Sequence, residues 1–195
     1  GAGQPVGLIR DKSGRNNHAY QTTSASRPIL RQNAVTGANY LEFDGVGDFL
    51  ITVSFPAMGL GTTIFSGSLC NKSSTSAIVA RGVGGYLYQT SGSTQVQSVN
   101  NTILISTNGN TVATVLYDPR GTGVTLQANS QTTSKPIIER GFNVSNPLII
   151  GAFNSSGATP FKGNIYSLIG INRVATTPEI TNIRNDIAKR LGVTL

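Results

Sequence analysis

Residues 40–53 constrain this chain more than any other stretch. Leu41 and Phe43 alternate with Tyr40 and Glu42, and beyond Asp44-Gly45 the residues Phe49, Ile51 and Val53 alternate with Asp48, Leu50 and Thr52. Successive side chains of a strand point to opposite faces, so a period of two marks a half-buried strand. Between the two runs, Asp44 can accept bonds from nearby backbone amides, and Gly45 reaches positive φ at no steric cost. The stretch reads as strand, tight turn, strand.

The same pattern recurs along the chain. Residues 62–69, 76–80, 86–90, 95–98, 102–106, 111–117 and 124–128 are short runs with strand character. Turn formers separate them: Gly82, Gly84 and Gly85, then Asn108-Gly109, then Asp118-Pro119-Arg120-Gly121. The glycine cluster lacks the lysine and the following helix of a phosphate loop, so it reads as a β-turn. Leu148-Ile149-Ile150 is apolar on both faces, as a central strand is. Residues 161–173 form the longest alternating segment, with Phe161, Ile165, Ile169 and Ile171 on one face.

One helix closes the chain. Thr176 or Thr177 caps it, Pro178 sits in its first turn, and Glu179 faces the positive end of its dipole. Ile180, Ile183, Ile187 and Leu191 make one apolar stripe, and Gly192 ends it. Many short strands with one late helix predict an all-β fold. The expected architecture is a two-sheet antiparallel β-sandwich (jelly roll) with one short C-terminal helix, in a single domain over residues 1–195.

Charge narrows the partners. The chain carries 15 Lys and Arg against 8 Asp and Glu, a net charge of +7. Such a surplus points to nucleic acid where it is clustered and interleaved with aromatic residues. Here Arg10, Lys12, Arg15, Arg27 and Arg31 form one loose group and Arg184, Lys189 and Arg190 another, neither with an aromatic platform, so nucleic acid is not an expected partner. Cys70 is the single cysteine, so no intrachain disulfide can form. No apolar run is long enough for a spanning helix, and no membrane partner is expected. The chain does not open on a secretory signal, so a role outside the cell is expected to depend on lysis or on assembly into a larger particle.

Residues 11–18 are dense in turn formers. A metal reading would recruit Asp11 and His18, but a metal site needs several convergent donors. Asp11 and Ser13 therefore read as structural caps on the turn backbone, and no metal or cofactor is expected. His18 is the single histidine, which removes any Ser-His or Cys-His pair not centred on it.

Two stretches, taken together, resemble a known superfamily. One runs from Asp11-Lys12-Ser13-Gly14 through Arg27-Pro28 to Leu41-Glu42-Phe43-Asp44-Gly45. The other runs from Phe161-Lys162-Gly163-Asn164-Ile165 through Ile171-Asn172-Arg173 to Pro178-Glu179-Ile180. They resemble the concanavalin A-like, laminin-G-like jelly-roll domains, in the version found in phage and prophage virion proteins. There a Gly-Gln-Pro-Val-Gly opening, matched here by residues 3–7, precedes the Asp-Lys-Ser-Gly turn. The resemblance covers nearly the whole chain and implies the jelly-roll fold. It also implies a further strand upstream of Gly3, so the chain is expected to be a fragment of a longer one. The superfamily's turn reads Phe-Asp-Gly-x-Asp-Asp, and Gly47 stands where the first paired acid would be. Asp44 and Asp48 alone are too few for calcium, which takes six or more oxygens, so both are expected to be structural turn residues, Asp44 by bonding turn amides.

Three functions are open to such a domain. Glycan hydrolysis needs two carboxylates across the scissile bond. Glycanases of this superfamily carry a Glu-x-Asp-x-x-Glu strand; here Glu42-x-Asp44 meets Gly47 instead, so no enzyme activity is expected. Carbohydrate binding uses aromatic faces with planar polar groups, and Tyr86, Tyr88 and Gln89 with Tyr117, Asp118 and Arg120 are the candidates. A bland alternative is that these tyrosines pack the sheets. The third role is a component of a virion exterior: a fibre, tail or head-decoration module. It would contact other virion subunits as a homo-oligomer, through the exposed face of the long alternating strand or residues 55–58, and could still bind a bacterial surface polysaccharide. The last two roles are compatible, and a carbohydrate-binding module of a secreted or surface protein is the alternative setting.

Overall fold

The computed structural model describes residues 2–53, 55, 61–80, 86–90, 92–98, 101–107, 109–118, 123–136 and 146–195. The turns expected at residues 82–85 and 119–121, the connection at 56–60 with Met58, and Asn108 lie outside them. In chain order the strands are β1 (Leu8–Ile9), β2 (Ala19–Tyr20), β3 (Ile29–Gln32), β4 (Asn39–Asp44), β5 (Leu50–Thr52), β6 (Thr62–Cys70), β7 (Ser76–Ala80) and β8 (Tyr86–Thr90). They continue as β9 (Ser93–Ser98), β10 (Asn101–Ser106), β11 (Asn110–Asp118), β12 (Gly123–Ala128), β13 (Gln131–Lys135), β14 (Ile149–Ile150) and β15 (Lys162–Ile171), followed by the helix α1 (Thr177–Leu191). All pair antiparallel in two sheets. One has the order β1-β2-β5-β14-β7-β8-β9-β10 and the other β13-β12-β11-β6-β15-β4-β3. The expected sandwich is the observed one.

Alternation explains how the layers separate. On β6, Ile64, Ser68 and Cys70 face the interior between the sheets, while Phe65 and Gly67 face outward to α1. The interior is apolar around Phe43, Leu50, Ile78, Leu87, Leu126 and Phe161. The Phe43 and Phe161 rings meet edge-on, 6.0 Å apart between centroids. That packing requires Gly151, whose φ is +87° and whose hypothetical Cβ would lie 2.2 Å from Phe43 Cε1.

The helix adds a third layer. Ile187, Ala188 and Leu191 pack on Phe65 and Val112, with Ile180 and Ile183 half-buried beside them. Arg184 is also inside, 4% exposed, donating to Val112 O, Thr114 Oγ1 and Asn129 O. It is therefore not part of a C-terminal basic patch; burial pulls its guanidinium down to about 10. Glu179 accepts from the backbone N–H of Thr176 at 2.8 Å, closing the first turn.

Two expectations from alternation are corrected. Residues 40–53 do not form a hairpin, because β4 and β5 belong to different sheets. The connection carries the chain across the sandwich, so Leu50 and Thr52 are buried, Ile51 is half-buried and Val53 is 75% exposed. On β15, a bulge between Ile165 and Ser167 breaks the period. Ile165 stays in the interior, Ile171 turns to the helix side, and Ile169 is exposed.

Candidate functional site

Of the residues singled out above as sugar contacts, the structure describes the side chains of Gln89, Tyr117 and Asp118, and two of these three are in the core. Gln89 shares the inward face of β8 with Leu87 and is 1% exposed. Its amide is used inside: Ser68 Oγ donates to Oε1 at 2.7 Å, and Nε2 donates to Thr111 Oγ1 at 2.9 Å. Tyr117 follows Ala113 and Val115 on the inward face of β11 and is 3% exposed, and burial pushes its phenol up. These two therefore cannot meet a ligand: strand parity and sheet order put them in the core. Asp118 is half-buried opposite Gly123. The side chains of Tyr86 and Tyr88, and Arg120, lie outside the described residues.

The four turn residues are held by local bonds. Asp11 accepts from Ser13 N–H and Ser13 Oγ at 2.8 Å and from Asn17 N–H at 3.0 Å. Burial pushes its carboxyl up, but these donors outweigh it and hold the group below the usual carboxylate range. Asp11 N–H donates to His18 Nδ1 at 3.0 Å. Asp44 Oδ1 accepts from Val46 and Gly47 N–H, and Asp48 Oδ2 accepts from Asp44 N–H. Burial raises Asp48 above its ordinary range. Among the described residues no group of His, Cys, Asp and Glu is arranged to hold a metal ion.

A different surface gathers aromatic and planar polar groups. It is the outer face of β3, β4 and β15, beside the C-terminal end of α1. Parity puts Ile29 and Arg31 on it from β3, Tyr40, Glu42 and Asp44 from β4, and Lys162, Asn164 and Tyr166 from β15. The Tyr40 and Tyr166 rings are 4.8 Å apart between centroids, tilted by 34°. Both are half-buried, and Tyr166 also packs against the helix-side cluster. Asn33 Nδ2 donates to Tyr166 Oη at 3.1 Å, while its own Oδ1 is fixed by Val35 and Thr36 N–H. Burial, then Tyr166 and Glu42, raise the Tyr40 phenol, with Arg31 opposing.

The polar groups on this face come in matched pairs. Arg31 Nε donates to Glu42 Oε2 at 2.7 Å, with both side chains 44% exposed. Glu42 stands opposite Asn164 and Asp44 opposite Lys162 in the strand register. Rings able to take the C–H face of a sugar thus stand beside groups that donate and accept in a plane. For hydrolysis, Glu42 is occupied by Arg31 and Asp44 by turn amides, on the same face of one strand rather than across a cleft.

No family model matches the chain, and no curated protein is similar to it in sequence. Solved structures are similar in fold. The binding domain of Paraclostridial Mosquitocidal Protein 1 has a TM-score of 0.67 at 15% identity, over 95% of this chain and 51% of that one. The receptor binding domain of botulinum neurotoxin D has a TM-score of 0.59 at 13% identity, over 93% and 52%. The Ruminococcus gnavus IT-sialidase CBM40, solved bound to alpha2,3 sialyllactose, has a TM-score of 0.53 at 14% identity, over 64% and 82%. This chain spans about half the length of the two toxin binding domains. At these identities the likeness establishes the two-sheet jelly-roll sandwich.

Proposed function

We propose that this chain is a non-catalytic carbohydrate-binding module. The observation that carries the reading is the Tyr40–Tyr166 pair, half-buried on an outer sheet face and flanked by Arg31, Glu42 and Asn164. The sialyllactose-bound CBM40 and the toxin binding domains of the same fold support it. The setting we propose is the exterior of a phage or prophage virion, with the chain as one copy in a homo-oligomer. Support for that setting is the Gly-Gln-Pro-Val-Gly opening, which here is a structural part: Gly3 and Val6 N–H donate to Leu30 O and Pro28 O along β3.

The test is binding of the purified chain to a panel of bacterial surface polysaccharides, with reducing-end release followed in the same wells. Binding without release, weakened about tenfold or more by Tyr40→Ala and by Tyr166→Ala in folded protein, supports the reading. Release of reducing ends, or binding that neither substitution changes, overturns it.

A further inference from the structure

We infer that the Tyr40–Tyr166 face takes an uncharged glycan, selected by an electrostatically neutral surface on an otherwise basic protein. The inference rests on the carbohydrate-binding reading and specifies its ligand. β3, β4 and β15 together carry two cations, Arg31 and Lys162, and two carboxylates, Glu42 and Asp44. Arg31 is bonded to Glu42, and Lys162 stands opposite Asp44 in the strand register. The Lys162 stem lies against Gly45, where a Cβ would be 2.6 Å from Lys162 Cβ.

Among the described residues, much of the remaining charge lies off these three strands, with Lys189 at the C-terminal end of α1 beside the face. Arg10, Lys12 and Arg15 lie on the β1–β2 connection, and Arg184 is under the helix. Arg173 and Arg190 are engaged by Glu179 and Asp186. An anionic sugar that takes the remaining N–H groups of Arg31 has to sit against the carboxylates of Glu42 and Asp44. Like charges brought that close repel. A hydroxyl has the opposite relation to the same groups. It donates to Glu42 and accepts from a guanidinium N–H of Arg31 without breaking their bond, and Asn164 opposite Glu42 offers both functions again. A polyhydroxylated neutral chain lying over the two rings satisfies every polar group there.

The experiment is affinity electrophoresis of the whole chain through gels containing dextran, mannan or galactan on one side and alginate or polysialic acid on the other. Each gel is run at about 50 mM and about 500 mM NaCl. The expected result is retardation by at least one neutral polymer, changed less than about twofold by salt, and abolished by Tyr40→Ala. Glu42→Lys, at an exposed site, is expected to weaken neutral binding and create salt-sensitive retardation by an anionic polymer. Wild-type retardation by anionic polymers alone, lost at high salt, overturns the neutral-ligand inference and leaves the carbohydrate reading standing. Retardation by neither class overturns both.

Discussion

Gln89 and Ser68 join the two sheets from inside: the Ser68 hydroxyl on β6 donates 2.7 Å to the Gln89 carbonyl oxygen on β8. The same amide donates to Thr111 on β11, so one side chain ties one sheet to two strands of the other. Gln89→Leu keeps the volume but leaves the Ser68 hydroxyl without its acceptor, while Thr111 loses a donor and keeps its bond to Gly109 O. Its expected cost is about 1–3 kcal/mol, the desolvation penalty of a buried group left without a partner. The measurement is the urea midpoint at unchanged slope. Adding Ser68→Ala is expected to restore part of the loss, because both ends of one bond are then removed together. A neutral Gln89→Leu would show that this bridge contributes nothing.

Gly67 sets how closely the helix approaches the sheet. A Cβ there would lie 2.4 Å from Ile187 Cγ2 and 2.7 Å from Leu191 Cδ1. Gly67→Ala therefore has to lift α1 or force rotamers, at an expected cost of about 1–3 kcal/mol. Ile187→Ala alone also destabilises, by opening a cavity. The double variant is expected to be clearly less damaged than the two single losses added together. Strict additivity in denaturant melts would refute direct contact between these positions.

Sequence made the layers legible where one strand decides the matter and left them illegible where two strands do. Leu41 and Phe43 against Tyr40 and Glu42 sort correctly, because alternation alone separates their faces. Alternation does not say which face is inside. At residues 48–53 the chain changes sheets, and Leu50 rather than Ile51 turns inward. The β15 bulge is similar, since an extra residue leaves no mark in composition. The candidate surface follows the same rule. Tyr40 and Tyr166 lie on two runs each recognisable as a strand, but their contact depends on β4 pairing with β15, which no local pattern states. Gln89 and Tyr117 carry polar tips that suggest a surface, and the sheet order alone buries them.

The Arg173–Glu179 pair makes a pH prediction. Bonding by Arg173, then by Thr176, holds the Glu179 carboxyl down to about 2, against an ordinary value near 4.5. A folded-state value below the unfolded one gives stability that is present above the unfolded value. That stability is lost as pH falls through the folded one. Glu179→Gln is therefore expected to unfold at lower urea than the parent at neutral pH, with the gap closing between pH 4.5 and about 2. The pair is exposed, so the gap is small and shrinks in salt. A gap that stays constant across this range would show that the variant acts through something other than the ionised carboxylate.

Tyr40 separates ring from hydroxyl at the candidate surface. If the ring carries binding, Tyr40→Phe keeps the stacked partner of Tyr166 and most of the affinity, whereas Tyr40→Ala removes an aromatic face. The loss expected for Tyr40→Ala is about tenfold or more, or roughly 1.4 kcal/mol, and for Tyr40→Phe less than about threefold. Neither change touches the sandwich interior, because Tyr40 lies on the outward face of β4. Both variants should therefore keep the parent's melting temperature to within a few degrees, which makes the binding comparison interpretable. Titration calorimetry with the polysaccharide that the panel identifies gives both affinities. Equal losses in the two variants would move the recognition from the ring face to the phenol hydroxyl. Binding would then be expected to fail as that hydroxyl ionises, above its ordinary value of 10 because its surroundings raise it.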